Sequence, residues 1–207
     1  MISVQRSTIK RNITLKQTLP YIFIIVGIIG CVASFALTYD KIQVLKNPAY
    51  IPSCNINPIL SCGSVMKTEQ ASLLGVPNTI YGLMGFSALV TIGTVLLAGA
   101  TFRRWLWLVI NVGALAGFCF FIYLFLQGVY RINTICPFCF AVWMIMPPLL
   151  WYTTLYNVAE GNLRLKYIDI RVKTFLQRHH GDVLLLWYLI IFILLTTHFW
   201  YYWKTII

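Results

Sequence analysis

Residues 105–130 read WLWLVINVGALAGFCFFIYLFLQGVY, with no acidic or basic side chain, between Arg103 and Arg104 on one side and Arg131 on the other. A helix needs roughly 20 apolar residues to cross a bilayer, so this run is long enough to span. Four further stretches meet the same test: 20–39, 79–99, 136–157 and 183–203. Composition agrees, with 59% of residues hydrophobic, 10% charged and a mean hydropathy of +0.79. The chain is therefore read as an all-α integral membrane protein with five transmembrane helices. The first stretch follows a basic segment and has small residues near Ser34 and Ala36, as a cleaved signal peptide would. Its apolar part is too long for a signal-peptide core, and it is read as a retained span.

Orientation follows from the basic residues, because cytoplasmic loops close to helix ends carry the positive excess. One side receives eleven of the sixteen: Arg6, Lys10, Arg11, Lys16, Arg103, Arg104, Arg164, Lys166, Arg171, Lys173 and Arg178. The other receives Lys41, Lys46, Lys67, Arg131 and Lys204. The N-terminus is expected inside and the C-terminus outside. The net charge of +11 then belongs to loops facing anionic lipid, and no nucleic-acid partner is expected. The expected organisation is a cytoplasmic segment 1–19, a four-helix unit 20–157 with an outer loop 40–78, a basic inner loop 158–182, and a fifth helix with an outer C-terminus, 183–207.

This topology gathers four cysteines on the outer side: Cys54 and Cys62 in the motif CNINPILSC, and Cys136 and Cys139 in CPFC. In bacteria that compartment is oxidising, and two dithiols there form an electron relay through thiol–disulfide exchange. Four cysteines allow three pairings, and the spacing alone does not choose among them. Cys31 and Cys119 lie inside apolar spans and are read as small buried hydrophobes.

Cys136 and Cys139 are three apart, which puts both on nearly one face of a helix. Pro137 suits the first helical turn, and Cys139 then falls near the third position, where free N–H groups and the helix dipole favour a thiolate. On this reading Cys139 passes electrons to an acceptor within the bilayer. A quinone fits, being flat, apolar and redox-active. Trp143 stands one turn below Cys139, with Met146 beyond it, while Asn78 and Tyr81 open the second span at the same level. Asn78 offers an amide N–H to a quinone carbonyl. No carboxylate is visible in the outer half of spans two to four, and no general acid is assigned.

The combination of C-x7-C in the first outer loop, Thr68 six residues later, Asn78 followed by Tyr81, and C-x-x-C opening the fourth span resembles the vitamin K epoxide reductase family over roughly 18–157. Bacterial members of that family are quinone-dependent disulfide oxidases of the plasma membrane. The resemblance implies a four-helix bundle around the quinone, ubiquinone or menaquinone, capped by a short half-helix after Cys62. It implies that Cys139 is the sulfur nearest the quinone and Cys136 its disulfide partner. It further implies that Cys62 attacks Cys136, that Cys54 exchanges with the protein substrate, and that Thr68 and Asn78 belong to the quinone site. Trp143 stands where the vitamin-K-processing animal members have Tyr, which speaks for quinone reduction over epoxide reduction.

Several bacterial relatives continue from the fifth helix into a thioredoxin-like domain, whereas this sequence ends at Ile207. The expected thiol partner is a separate thioredoxin-fold protein resembling DsbA. The fifth helix is left as a remnant, a packing surface or a docking site, and His198 as an interfacial polar residue. Three rivals run against these expectations. A DsbB-type oxidase has its two cysteine motifs in the reverse order. A four-thiolate zinc site belongs to soluble structural modules. Two structural disulfides stapling a transporter or receptor leave unexplained why the first four spans lack the ionisable residues of an ion pathway.

Overall fold

In the computed structural model the apolar runs are helices. The structure describes residues 2–57, 59–73, 75–163, 179–200 and 204, with side chains from residue 15 onward. The helices are α1 (Ile2–Lys46), α2 (Cys62–Met66), α3 (Asn78–Leu97), α4 (Arg104–Leu126), α5 (Pro137–Ala159) and α6 (His180–His198). All but the short α2 are long and apolar enough to cross a membrane. Among the described residues the only pairing of extended backbone is a single parallel bridge between Leu60 and Ile135.

Helix α1 runs without a break from Ile2 through Pro20, so it takes in residues 2–19 ahead of the first apolar stretch. An interior proline removes one backbone hydrogen bond. Packing carries the helix across it, since Leu19 and Phe23 on either side of Pro20 are fully buried. The side chains of Arg6, Lys10 and Arg11, the basic residues of 164–178 and the end of the fifth span at 201–203 lie outside the described residues.

Helix α1 packs against α3 and α5, and α4 packs against α5. Without a hydrophobic drive between helices in lipid, close approach relies on small residues. A Cβ added at Gly27 would stand 2.6 Å from the Val90 side chain and 2.9 Å from the backbone of Phe86 and of Val90. Because two of those neighbours are backbone, α3 itself must move to make room. Gly27→Leu is expected to destabilise the bundle by about 1–3 kcal/mol or more, the usual cost of overpacking. Thermal unfolding in detergent reads this as a lowered midpoint, and an unchanged midpoint would contradict the packing described.

At the end of the bundle away from the CPFC motif, buried Asn157 ties α5 to α4 by donating to the Trp107 carbonyl at 3.2 Å. Helix α6 rests on α4 and α5, with Tyr188 donating to the Met144 carbonyl at 2.7 Å and the Trp187 ring 5.1 Å from Phe118. At the cysteine-bearing end, His198 hydrogen-bonds Asn133 Oδ1 at 2.8 Å, so it joins α6 to the turn before Cys136.

The two span cysteines are less buried than expected. Cys119 is exposed on α4, and Cys31 is half-buried with its Sγ 3.4 Å from Ser87 Oγ. The surface of a membrane bundle faces lipid as apolar as its core, so a thiol there has no solvent-driven reason to turn inward.

Candidate functional site

The CNINPILSC loop is shaped by its own polar side chains. Asn57 Oδ1 accepts from the N–H groups of Ile59 and Leu60 at 3.0 and 2.7 Å, which turns the chain back. Asn55 Oδ1 accepts from Ser61 Oγ at 3.0 Å and from the Gly63 N–H at 2.9 Å. Ser61 also caps α2 by accepting from Ser64 N–H at 3.3 Å. Short polar side chains of this kind bind nearby backbone groups in turns and caps. The result brings Cys54 beside Cys62, and the two form a disulfide.

Two backbone hydrogen bonds then set this loop against the start of α5. Ile135 N–H donates to the Ile59 carbonyl at 2.7 Å, and Ser61 N–H donates to the Ile135 carbonyl at 3.1 Å. The next residue on each strand is a cysteine. Cys136 Sγ lies 3.3 Å from Cys62 Sγ, and Cys54, Cys62 and Cys136 are all buried together with Leu37 and Met66. Two sulfurs 74 positions apart in the sequence thus stand in contact.

Cys136 is the N-cap of α5, Pro137 its first residue and Cys139 its third. The Cys139 thiol donates a hydrogen bond to Cys136 Sγ, and the N–H groups of Cys139 and Phe138 also favour the anion, so the Cys136 pKa is lowered against the opposing effect of burial. The helix-end electrostatics expected to act on Cys139 therefore act on Cys136. The physical reason is the cap position, which aims the free N–H groups at the residue preceding the helix rather than at its third. Cys136 and Cys139 are free thiols, so the structure holds the loop pair oxidised and the C-x-x-C pair reduced.

Behind these sulfurs lies a cavity of about 100 Å³ with a mostly apolar wall. Cys62, Cys136, Cys139, Thr68, Asn78 and Trp143, six of the eight expected site residues, all line it. Cys54 lies behind Cys62. Tyr81 does not reach the cavity; it is 40% exposed and lines a neighbouring groove of about 530 Å³ between α3 and α4. That groove shares Asn78, Gly82, Phe120 and Phe121 with the cavity.

Asn78 is more constrained than the sequence suggests. Its Nδ2 donates to the Gln70 carbonyl at 2.6 Å and its Oδ1 accepts from Leu73 N–H at 3.2 Å, so it pins the 3-10 turn Glu69–Ser72 over the cavity. One amide hydrogen remains for a second acceptor. Thr68 donates to the Val65 carbonyl at 2.8 Å and closes the same cap.

The sequence reading missed three features. Gln127 lines the cavity, and its Oε1, like Trp143 Nε1, is buried without a hydrogen-bond partner among the described residues. It opens a π-helical turn, Gln127–Ile132, a distortion often found at functional sites. The available signal is that Gln127 and Asn111 are the only amide side chains in 105–130. The polar scaffold of Asn55, Asn57 and Ser61 was also passed over. So was Asp40, buried at 5% exposure, whose Oδ1 accepts from Tyr50 Oη–H at 3.0 Å and whose Oδ2 lies 3.7 Å from Cys54 Sγ. Tyr50 titrates above the ordinary tyrosine range because of that bond to Asp40.

The cavity suits a quinone head. Its wall is apolar, a buried indole N–H and an amide N–H are present to meet carbonyl oxygens, and Gln127 Oε1 can accept from a reduced ring hydroxyl. No group of three or more metal-ligating side chains occurs among the described residues.

The model of the vitamin K epoxide reductase family matches residues 21–154, and the chain belongs to that family. No curated protein matches it. Family and helices together make it a multi-pass membrane oxidoreductase acting on thiols.

Proposed function

We propose that this member of the vitamin K epoxide reductase family reoxidises a separate DsbA-like thioredoxin-fold protein and sends the electrons through its two cysteine pairs to a membrane quinone. The observation that carries this reading is the 3.3 Å approach of Cys136 Sγ to Cys62 Sγ, a free thiol against a disulfide. Structural staples have no use for that geometry. Sulfur exchange requires it, because a thiolate must reach one sulfur of the bond it breaks.

One thiol of the partner's dithiol attacks Cys54, which takes the mixed disulfide and releases Cys62, and the partner's second thiol then breaks that bond, leaving the partner oxidised and Cys54 a thiol. Cys62 then attacks Cys136 of the oxidised C-x-x-C pair and releases Cys139. Cys54 attacks Cys62 in turn, which restores the loop disulfide and frees Cys136 as a thiolate held by the Cys139 S–H. A quinone bound in the cavity supplies the terminal two-electron, two-proton acceptor. Asn78 and Trp143 orient it by N–H donation, the short cap α2 excludes water, and the groove between α3 and α4 gives an apolar tail a way in from lipid. Ile51 and Ile56, 75% and 67% exposed on either side of Cys54, offer the partner an apolar landing surface. With the N-terminus cytoplasmic, this end of the bundle faces outward, and the protein supports disulfide formation outside the cytoplasm of a bacterial cell.

The test is to mix purified protein with a reduced thioredoxin-fold partner and a short-chain quinone and to follow quinone absorbance. Turnover is expected; its absence with several quinones would contradict the reading. Asn78→Ala is expected to raise the quinone concentration for half-maximal rate by roughly one to two decades, from loss of a buried hydrogen bond of about 1–3 kcal/mol. Exchange with the partner should persist. An unchanged half-saturation would place the acceptor elsewhere.

A further inference from the structure

The relay has one carboxylate in contact with it, and the proposed sulfur chemistry leaves one proton without a destination. When Cys54 attacks Cys62 of the Cys62–Cys136 mixed disulfide, the Cys54–Cys62 bond forms, the Cys62–Cys136 bond breaks and Cys136 departs with the electron pair. Cys54 enters that step as a thiol at ordinary pH, because free cysteine ionises near pH 8.5, and its proton must go somewhere. Cys54 is 6% exposed, which leaves little direct access to water.

We propose that Asp40 is the general base that takes the Cys54 proton in this step. Its Oδ2 stands 3.7 Å from Cys54 Sγ, within reach of an S–H···O hydrogen bond once Cys54 is a thiol. Its Oδ1 is held by the Tyr50 hydroxyl at 3.0 Å, which fixes the carboxylate and connects it to the half-exposed Tyr50. The other charged or titratable groups nearby have different roles. Lys41, next in the chain, turns away to the Met66 carbonyl, and Cys136 receives Asp40's charge only as the smallest of its influences. No other acidic side chain is in contact with either cysteine pair among the described residues. The inference rests on the relay reading above, and it adds the base that the relay needs.

The direction of the pH effect follows from the two thiol states. With Asp40 present, Cys54 is deprotonated as it attacks, and turnover is nearly flat across neutral pH. With Asp40→Asn, which keeps an acceptor for Tyr50 but removes the base, only the fraction of Cys54 already ionised can attack. The rate should then fall about tenfold or more at pH 7 and rise about tenfold per pH unit up to the thiol pKa near 8.5.

The experiment follows quinone reduction by the reduced partner from pH 6 to 9, with acid-quenched samples mapped for disulfides. Asp40→Asn is expected to show the steep profile and to accumulate the Cys62–Cys136 species during turnover. Asp40→Glu, which retains a carboxylate, is expected to restore the flat profile. Asp40→Asn with the wild-type profile would overturn the assignment, and so would a loss that is equal at every pH without the mixed disulfide. That second outcome counts where Asp40→Asn keeps the thermal unfolding midpoint of the unsubstituted protein; where it does not, Asp40→Glu decides, and a steep profile in that variant overturns the assignment. If Cys54→Ala fails to accumulate Cys62–Cys136 at all, the relay reading falls first and Asp40 with it.

Discussion

Replacing any one of Cys54, Cys62, Cys136 or Cys139 with Ala is expected to lower partner oxidation to background, while Cys31→Ala and Cys119→Ala keep rates close to that of the unsubstituted protein. Each of the four is either bonded to, or in contact with, the next sulfur along the path. Thiol exchange has no detour around a missing sulfur, because every transfer passes through a covalent mixed disulfide. Cys31 packs against the apolar core with its Sγ beside Ser87 Oγ, and Cys119 is exposed on α4, so neither is bonded to another cysteine. The measurement is the redox state of the partner in cells, read by alkylation and gel shift for each variant. Full oxidation by Cys54→Ala or Cys139→Ala protein would remove the relay.

Much of this site is legible in the sequence, for a physical reason that differs from part to part. The spans are readable because lipid demands long apolar runs whatever their packing. The start of α5 is readable because Pro137 admits only a few backbone conformations, and both C-x-x-C sulfurs follow from it. What residue type and spacing hide, and only the family resemblance implies, is the meeting of Cys62 with Cys136. That meeting depends on two backbone hydrogen bonds between Ile59–Ser61 and Ile135, and backbone groups leave no mark on residue type.

Asp40 is hidden for a different reason. A charge at the end of a span looks like an ordinary interfacial residue until the loop folds back over it. Asn78 reads as a ring contact from its amide and its family position, and the structure engages it with Gln70 and Leu73 as the pin of the cap. Tyr81 is three residues along the same helix and turns to the outer groove, which no spacing argument from Asn78 separates without knowing where α4 lies.

The central claim is that electrons cross from the loop to the C-x-x-C pair through Cys62 and Cys136, and the Cys54→Ala protein tests it most directly. Once the C-x-x-C pair is oxidised, Cys62 attacks Cys136 and releases Cys139 as a thiol. The resolving sulfur is missing, so the mixed disulfide persists unless Cys139 reverses the attack. Cys62 and Cys136 already stand 3.3 Å apart, while Cys139 sits at the third position of α5 with its thiol donated to Cys136. Peptide mapping of Cys54→Ala protein, alkylated after exposure to quinone, is expected to find Cys62 joined to Cys136 as the main disulfide and Cys139 alkylated. Cys62 joined to Cys139, with Cys136 alkylated, would contradict the path.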